Sequence, residues 1–166
     1  MSSSFGKPPK LHTGNAGAGA LDALERMGEV DLSRLSVLVI DDNKFVRRLV
    51  AEILRSFGVK EIFEADSATA AIDQMAIGVN FDLIISDWSM HPSDGLFVLR
   101  SVRSGKTGLK PQTPFVVLTG ECRQNKVIEA LAEGASSYIV KPISAKLLMG
   151  HLIKLILDEK DKYELD

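Results

Sequence analysis

Apolar positions along this chain alternate between two spacings from residue 35 onward. Short, nearly continuous runs stand at 35–40 (LSVLVI), 61–64 (EIFE), 81–86 (FDLIIS), 113–118 (TPFVVL) and 137–140 (SYIV). The first, third and fourth lack the in-out alternation of a half-exposed strand, so they predict strands covered on both faces, as in a parallel sheet. Between the runs the spacing becomes helical. Phe45, Leu49 and Ile53, with Val46, Val50 and Leu54 beside them, form one stripe that ends at Gly58, a residue suited to a helix C-terminus. A second helix is predicted over 68–77 behind Ser67 as N-cap, a third over 96–102 and a fourth over 127–131, ending near Gly134. The last runs over 147–157 behind Ser144. Strand and helix alternating in this way predict right-handed crossovers and an α/β doubly wound parallel sheet.

The first 33 residues read differently. Ser2, Ser3, Ser4, Pro8 and Pro9, then Gly14, Gly17 and Gly19, make a stretch that buries little and is expected to be flexible. Leu21, Leu24 and Met27 recur every three residues within it and predict a short helix over 20–28. At the other end, DEKDKYELD (158–166) alternates its charges and reads as a frayed continuation of the last helix. The expected organisation is an N-terminal extension (1–33), one domain (34–158) and a charged tail (159–166).

Composition narrows the class. A chain of 166 residues that is 45% hydrophobic and 25% charged holds one domain. Twenty basic against 22 acidic side chains give a net charge of -2, which supplies no broad field for nucleic acid or an anionic membrane. Cys122 is the sole cysteine, so no internal disulfide forms, and it reads as an inert thiol in a reducing compartment. No signal-peptide core stands in the first twenty residues, and no apolar stretch approaches the roughly 20 residues of a membrane span. A soluble, cytoplasmic protein is expected.

In open α/β sheets, ligands bind outside the carboxyl ends of the strands. The residues there are Asp41 and Asp42 after the first run, Asp87 after the third, Thr119 and Gly120 after the fourth, and Lys141 with Pro142 after the fifth. Any of them alone is an ordinary turn or surface residue. Together they would crowd three carboxylates that repel one another and require a cation. Lys141 supplies one charge, and an all-oxygen ligand set points to Mg²⁺ rather than zinc. The histidines, His12, His91 and His151, are scattered, and His91 reads as an exposed loop side chain. A carboxylate beside Mg²⁺ can attack phosphorus and form an aspartyl phosphate. Asp87, alone on a central strand, is the candidate nucleophile; Asp41 and Asp42 suit metal holding. Lys141, the Thr119 hydroxyl and nearby backbone N–H groups suit the equatorial phosphoryl oxygens.

These residues resemble the response regulator receiver domain of two-component signalling, the CheY-like family. The resemblance covers 35 to about 158 and rests on IDDNKFVRR, SDWSMHPSDG, VVLTGE and SSYIVKP, in order and spacing. It implies a five-stranded (βα)5 flavodoxin-like sheet of order 2-1-3-4-5 in three αβα layers, with Asp87 as phosphoacceptor. By the same resemblance Mg²⁺, or Mn²⁺ in its place, is held by Asp42, Asp87 and the Ser89 backbone carbonyl, with Asp41 acting through water. Thr119, Gly120, Lys141 and the Trp88 backbone N–H would bind the phosphoryl group. Tyr138 would be the switch aromatic, Ser89 and Glu121 would tune hydrolysis, and the Lys141–Pro142 bond would be cis. The chain departs from the pattern where His91 precedes Pro92, although Asp94 and Gly95 keep their distance from Asp87.

The implied function is a stand-alone response regulator that takes a phosphoryl group from a phosphohistidine of a histidine kinase or phosphotransfer protein. Kinase specificity is expected on the helix over 43–57. A downstream protein is expected on the face of helix 123–133, strand 136–140 and helix 144–158. No nucleic acid, no membrane insertion and no catalytic turnover of a substrate are expected. Two alternatives remain: a phosphorylation-independent interaction module, and an aspartyl-phosphate phosphatase. The phosphatase needs a second Asp two residues after the nucleophile, and Ser89 stands there. A flavin is disfavoured by the negative charge of Asp41 and Asp42 in the first turn, and a DNA-binding effector by the shortness of the tail.

Overall fold

A computed structural model describes residues 16–90, 95–120 and 124–164. Five parallel strands, β1 (Ser36–Ile40), β2 (Glu61–Ala65), β3 (Leu83–Asp87), β4 (Phe115–Thr119) and β5 (Ser137–Val140), lie in the order β2-β1-β3-β4-β5. Every residue of β1, β3 and β4 is buried, as their unbroken apolar runs predict, while the edge strand β2 exposes Glu61 and Glu64.

Alternation along the strands sends side chains into two cores. Val37, Val39, Leu83, Ile85, Val116 and Leu118 pack under α2 (Lys44–Ser56) and α6 (Ala145–Glu164). Leu38, Ile40, Ile84, Phe115 and Val117 pack under α3 (Ala68–Ala76), α4 (Gly95–Arg103) and α5 (Gln124–Ala132). The result is a three-layer αβα sandwich, with the doubly wound parallel sheet that the apolar pattern predicts and the strand order that the family resemblance implies.

Helix ends follow local chemistry. Ser67 Oγ accepts from the Ala70 N–H and Ser144 Oγ from the Leu147 N–H, so both serve as N-caps. Gly58 and Gly134, each at φ +102°, end α2 and α5 in the left-handed conformation that a side chain would oppose.

Two elements differ from expectation. In α2 the buried line is Val50, Ile53 and Leu54 with half-buried Val46, whereas Phe45 is 82% and Leu49 47% exposed. The helix turns its one-sided charge pattern, Lys44, Arg48, Glu52 and Arg55, outward, and these two apolar residues lie on the outward side. The N-terminal helix α1 spans Ala16–Glu25, four residues earlier than predicted, and a short 3-10 turn, Met27–Glu29, follows it. Nor is this stretch unburied: Ala23 is 5% and Leu32 6% exposed, both within the core under α6. The tail does continue the last helix, with α6 running to Glu164. The partner surface that α1 and α6 offer each other is not encoded in the periodicity of either alone.

Candidate functional site

The carboxyl ends of β1, β3, β4 and β5 bring the predicted chemistry to one rim. Asp41 follows β1 and continues its ladder, donating its N–H to Ala65 O (3.1 Å). Its side chain is fully buried, yet both oxygens are engaged. Oδ1 accepts from the Asn43 N–H at 2.8 Å and Oδ2 from Lys141 Nζ at 3.2 Å. Asn43 then caps α2, its side chain accepting from the Phe45 and Val46 N–H groups (3.0 and 3.2 Å). One Asx turn therefore both fixes a carboxylate and starts a helix. Asp42, the next residue, is exposed.

Asp87 is the last residue of β3, opposite Leu118 of β4, and is 6% exposed. Lys141 Nζ stands 3.4 Å from its Oδ1, and the same oxygen accepts from the Ser89 N–H at 3.4 Å. Burial first, and then the neighbouring charge of Asp41, push the Asp87 carboxyl above the usual carboxylate range. Lys141 and the Ser89 N–H pull in the opposite direction and do not fully offset them. Thr119 ends β4 and is 5% exposed; its carbonyl accepts the Lys141 N–H at 2.8 Å, which ties the lysine's main chain to the same rim. Gly120 follows on the exposed side.

The three carboxylates each offer an oxygen within 4.8 Å of the others. Two are buried and one opens to solvent, an arrangement that gives a hard cation both ligands and room for water. One ammonium among three carboxylates, with Asp87 still raised, leaves negative charge to be neutralised. The all-oxygen donor set thus fits a divalent cation such as Mg²⁺.

Some predicted residues fall elsewhere. The Trp88 N–H, expected toward the phosphoryl group, donates instead to Leu118 O at 2.8 Å. It is committed to the β3–β4 ladder, and the amide that faces the Asp87 carboxylate is that of Ser89. Tyr138 lies on β5 opposite Val117 and is half-buried against the core under α3, α4 and α5. Lys141–Pro142 is cis. Glu121, Cys122, His91 and Pro92 lie outside the described residues.

Two contributors carried no signal in the hydrophobic pattern. Arg47 donates to Asp41 O at 2.8 Å and to Glu64 Oε1 at 3.1 Å, so it braces the acidic turn against β2. Gly95 opens α4 with its N–H on Trp88 O (3.0 Å), and a Cβ there would collide with the Asp87 carbonyl oxygen. Only glycine lets α4 approach the end of β3 so closely. The Asp94-Gly95 pair after the site was the available clue.

Against known proteins, the response regulator receiver domain family matches residues 37–153. The chemotaxis protein CheY of Pseudomonas aeruginosa is 34% identical over 121 residues, 73% of this chain and 95% of the relative. CheY-3 of Vibrio cholerae is 33% identical over 121 residues, 73% and 91% of the two chains. Among solved structures, Vibrio cholerae CheY4 superposes with a TM-score of 0.64 at 31% identity, covering 71% of this chain and 95% of that one. The receiver domain of the Francisella response regulator 1452 gives 0.65 at 25% identity, covering 75% and 99%.

Proposed function

Because this chain belongs to the response regulator receiver family of two-component signalling, we propose that Asp87 accepts a phosphoryl group from a phosphohistidine of a histidine kinase or phosphotransfer protein. The observation that carries this reading is the meeting of Asp41, Asp42 and Asp87 with Lys141 at the carboxyl ends of the strands. A carboxylate oxygen of Asp87 forms a bond to phosphorus as the P–N bond to the donor imidazole breaks, and the imidazole keeps the electron pair and takes up a proton. Burial keeps water from competing with Asp87, and the Ser89 N–H holds the carboxylate in place.

Asp42, Asp87 and the Ser89 carbonyl would hold Mg²⁺ or Mn²⁺, with Asp41 acting through water. When bound, the cation neutralises charge on the transferring oxygens. Lys141 then turns its ammonium from the carboxylates to a phosphoryl oxygen, and the Thr119 hydroxyl with the Gly120 main chain meets another. Phosphate adds about -1.5 to -2 charges at neutral pH, enough to bias the position of Thr119. Tyr138 follows by moving deeper into the core that it already touches, shifting an existing equilibrium.

The readout face is α5–β5–α6, where Ile128 and Leu131 are exposed. The donor docks on α2, where Phe45 and Leu49 stand out beside the rim. Ser89 and Glu121 set the lifetime of the phosphate. The protein is a phosphoacceptor and not a turnover catalyst, since Ser89 occupies the place where a phosphatase of this chemistry keeps its second acid.

Incubation with a kinase phosphorylated on histidine tests this. Label is expected on wild type with Mg²⁺, and none on Asp87→Asn or after chelation of the metal. Equal labelling of Asp87→Asn overturns the assignment. Amide spectra that do not change with beryllium fluoride and Mg²⁺ support a phosphorylation-independent interaction module instead.

A further inference from the structure

The N-terminal helix α1 lies outside the family match, which begins at residue 37, yet it is docked on the folded domain. Its seat is the C-terminal half of α6. A Cβ on Gly19 would lie 3.6 Å from Lys154 Cε, and seven residues on, Arg26 reaches Asp161 at 3.9 Å. Both chains advance in the same direction, so the helices run parallel through two turns of α6. Ala23 is sealed in the same core as Leu157 of α6, with Leu24 packed beside it.

Alone, α1 is a poor helix. It has ten residues, AGAGALDALE, with glycines at 17 and 19, no acid in its first turn and no base in its last. Isolated helices shorter than about 12–15 residues are marginal even when alanine-rich, and each interior glycine costs about 1 kcal/mol relative to alanine. Its order therefore depends on the seat. That seat is one end of a continuous 20-residue helix, about 30 Å long, whose other end begins four residues after Lys141. Lys141 touches Asp41 and Asp87 by its side chain and Thr119 by its main chain.

We propose that α1 is a latch: seated on α6 while Lys141 is bound to the two carboxylates, and released when a phosphoryl group at Asp87 draws Lys141 away and shifts the start of α6. The proposal rests on Asp87 being the phosphoacceptor. In the structure the lysine is on the carboxylates and the latch is seated, so release is the change left for the loaded state to make. Release frees 16–28 and bares the side of α6 around Leu157, giving the receiver an output that lies outside the family match.

Hydrogen exchange of the full chain, with and without Mg²⁺ and beryllium fluoride, tests the latch. Loading is expected to slow exchange at 83–90 and 115–119 and to speed it at 16–28 by about fivefold or more, the lower range of allosteric coupling. Slowing at the site with 16–28 unchanged or slower overturns the latch and leaves the phosphoacceptor intact. No change anywhere overturns both. Linkage is reciprocal, so Ala23→Asp, which unseats α1 without touching the site, is expected to bind beryllium fluoride tighter by a similar factor. Equal affinity in the variant and wild type overturns the coupling.

Discussion

At Asp87, burial and the charge of Asp41 outweigh the help of Lys141 and the Ser89 N–H, so its carboxyl is raised. The folded chain then holds that proton more tightly than the unfolded chain. The resulting stability is present below about 3.9, the ordinary Asp value, and is lost as pH rises through the folded-state value. At neutral pH the charged Asp87 weakens the fold. Asp87→Asn should consequently raise the urea midpoint at pH 7.5 in metal-free buffer, and Mg²⁺ should stabilise wild type more than the variant. Lys141→Met removes the ammonium shared by Asp41 and Asp87, leaving buried carboxylates with a lost partner. A loss of about 1–3 kcal/mol is expected by chemical denaturation without metal, and Mg²⁺ should recover part of it. At Gly95 the added methyl of Gly95→Ala must push α4 or the Asp87 main chain aside. A loss of about 1–3 kcal/mol and slower labelling of Asp87 should follow. The acidic residues, Thr119 and Lys141 were legible in the sequence because each directly follows a predicted strand's apolar run. Arg47 and Gly95 were not, since one acts through a carbonyl on another turn and the other through the lack of a side chain.

Among the elements, α2 shows how local and tertiary information divide. The structure places its cap at Asn43, and Asn43→Ala should cost about 1 kcal/mol of stability, read from the urea midpoint. Its apolar stripe was legible in the sequence, but not its edges. Phe45 and Leu49 have the spacing of core residues, yet they lie on the side of α2 turned away from the sheet. The α1–α6 pair carries the same lesson. A three-residue recurrence in a glycine-rich stretch looks like a frayed tail until a second helix supplies the surface that holds it. The hydroxyl of Ser137 and Nδ1 of His151, 2.9 Å apart, join β5 to α6. Burial, and then Lys154, hold His151 below the usual histidine range, so the folded state favours the neutral ring. Its contribution is present above about 6.5 and is lost as pH falls through the folded-state value. Between pH 7.5 and 5.5 wild type should lose more unfolding free energy than His151→Gln, measured by parallel urea titrations.

On the scale of the whole molecule, two cores on one sheet hold the rim in place, and Ile84 on the central strand β3 is fully buried in one of them. Ile84→Ala should lower the unfolding free energy by about 2–5 kcal/mol, checked by denaturant titration. The sequence by itself determined the alternation of strand and helix, the unbroken apolar runs that demand cover on both faces, and which residues follow each strand. Those are consequences of spacing along one chain, and spacing is local. The tertiary structure alone decided which backbone amide faces Asp87, because the Trp88 N–H is taken by a carbonyl 30 residues away on β4. It also decided that α1 is docked and that Phe45 is bare. Each of these depends on how segments distant in sequence approach one another, and no periodicity within a single segment records the shape of its neighbour.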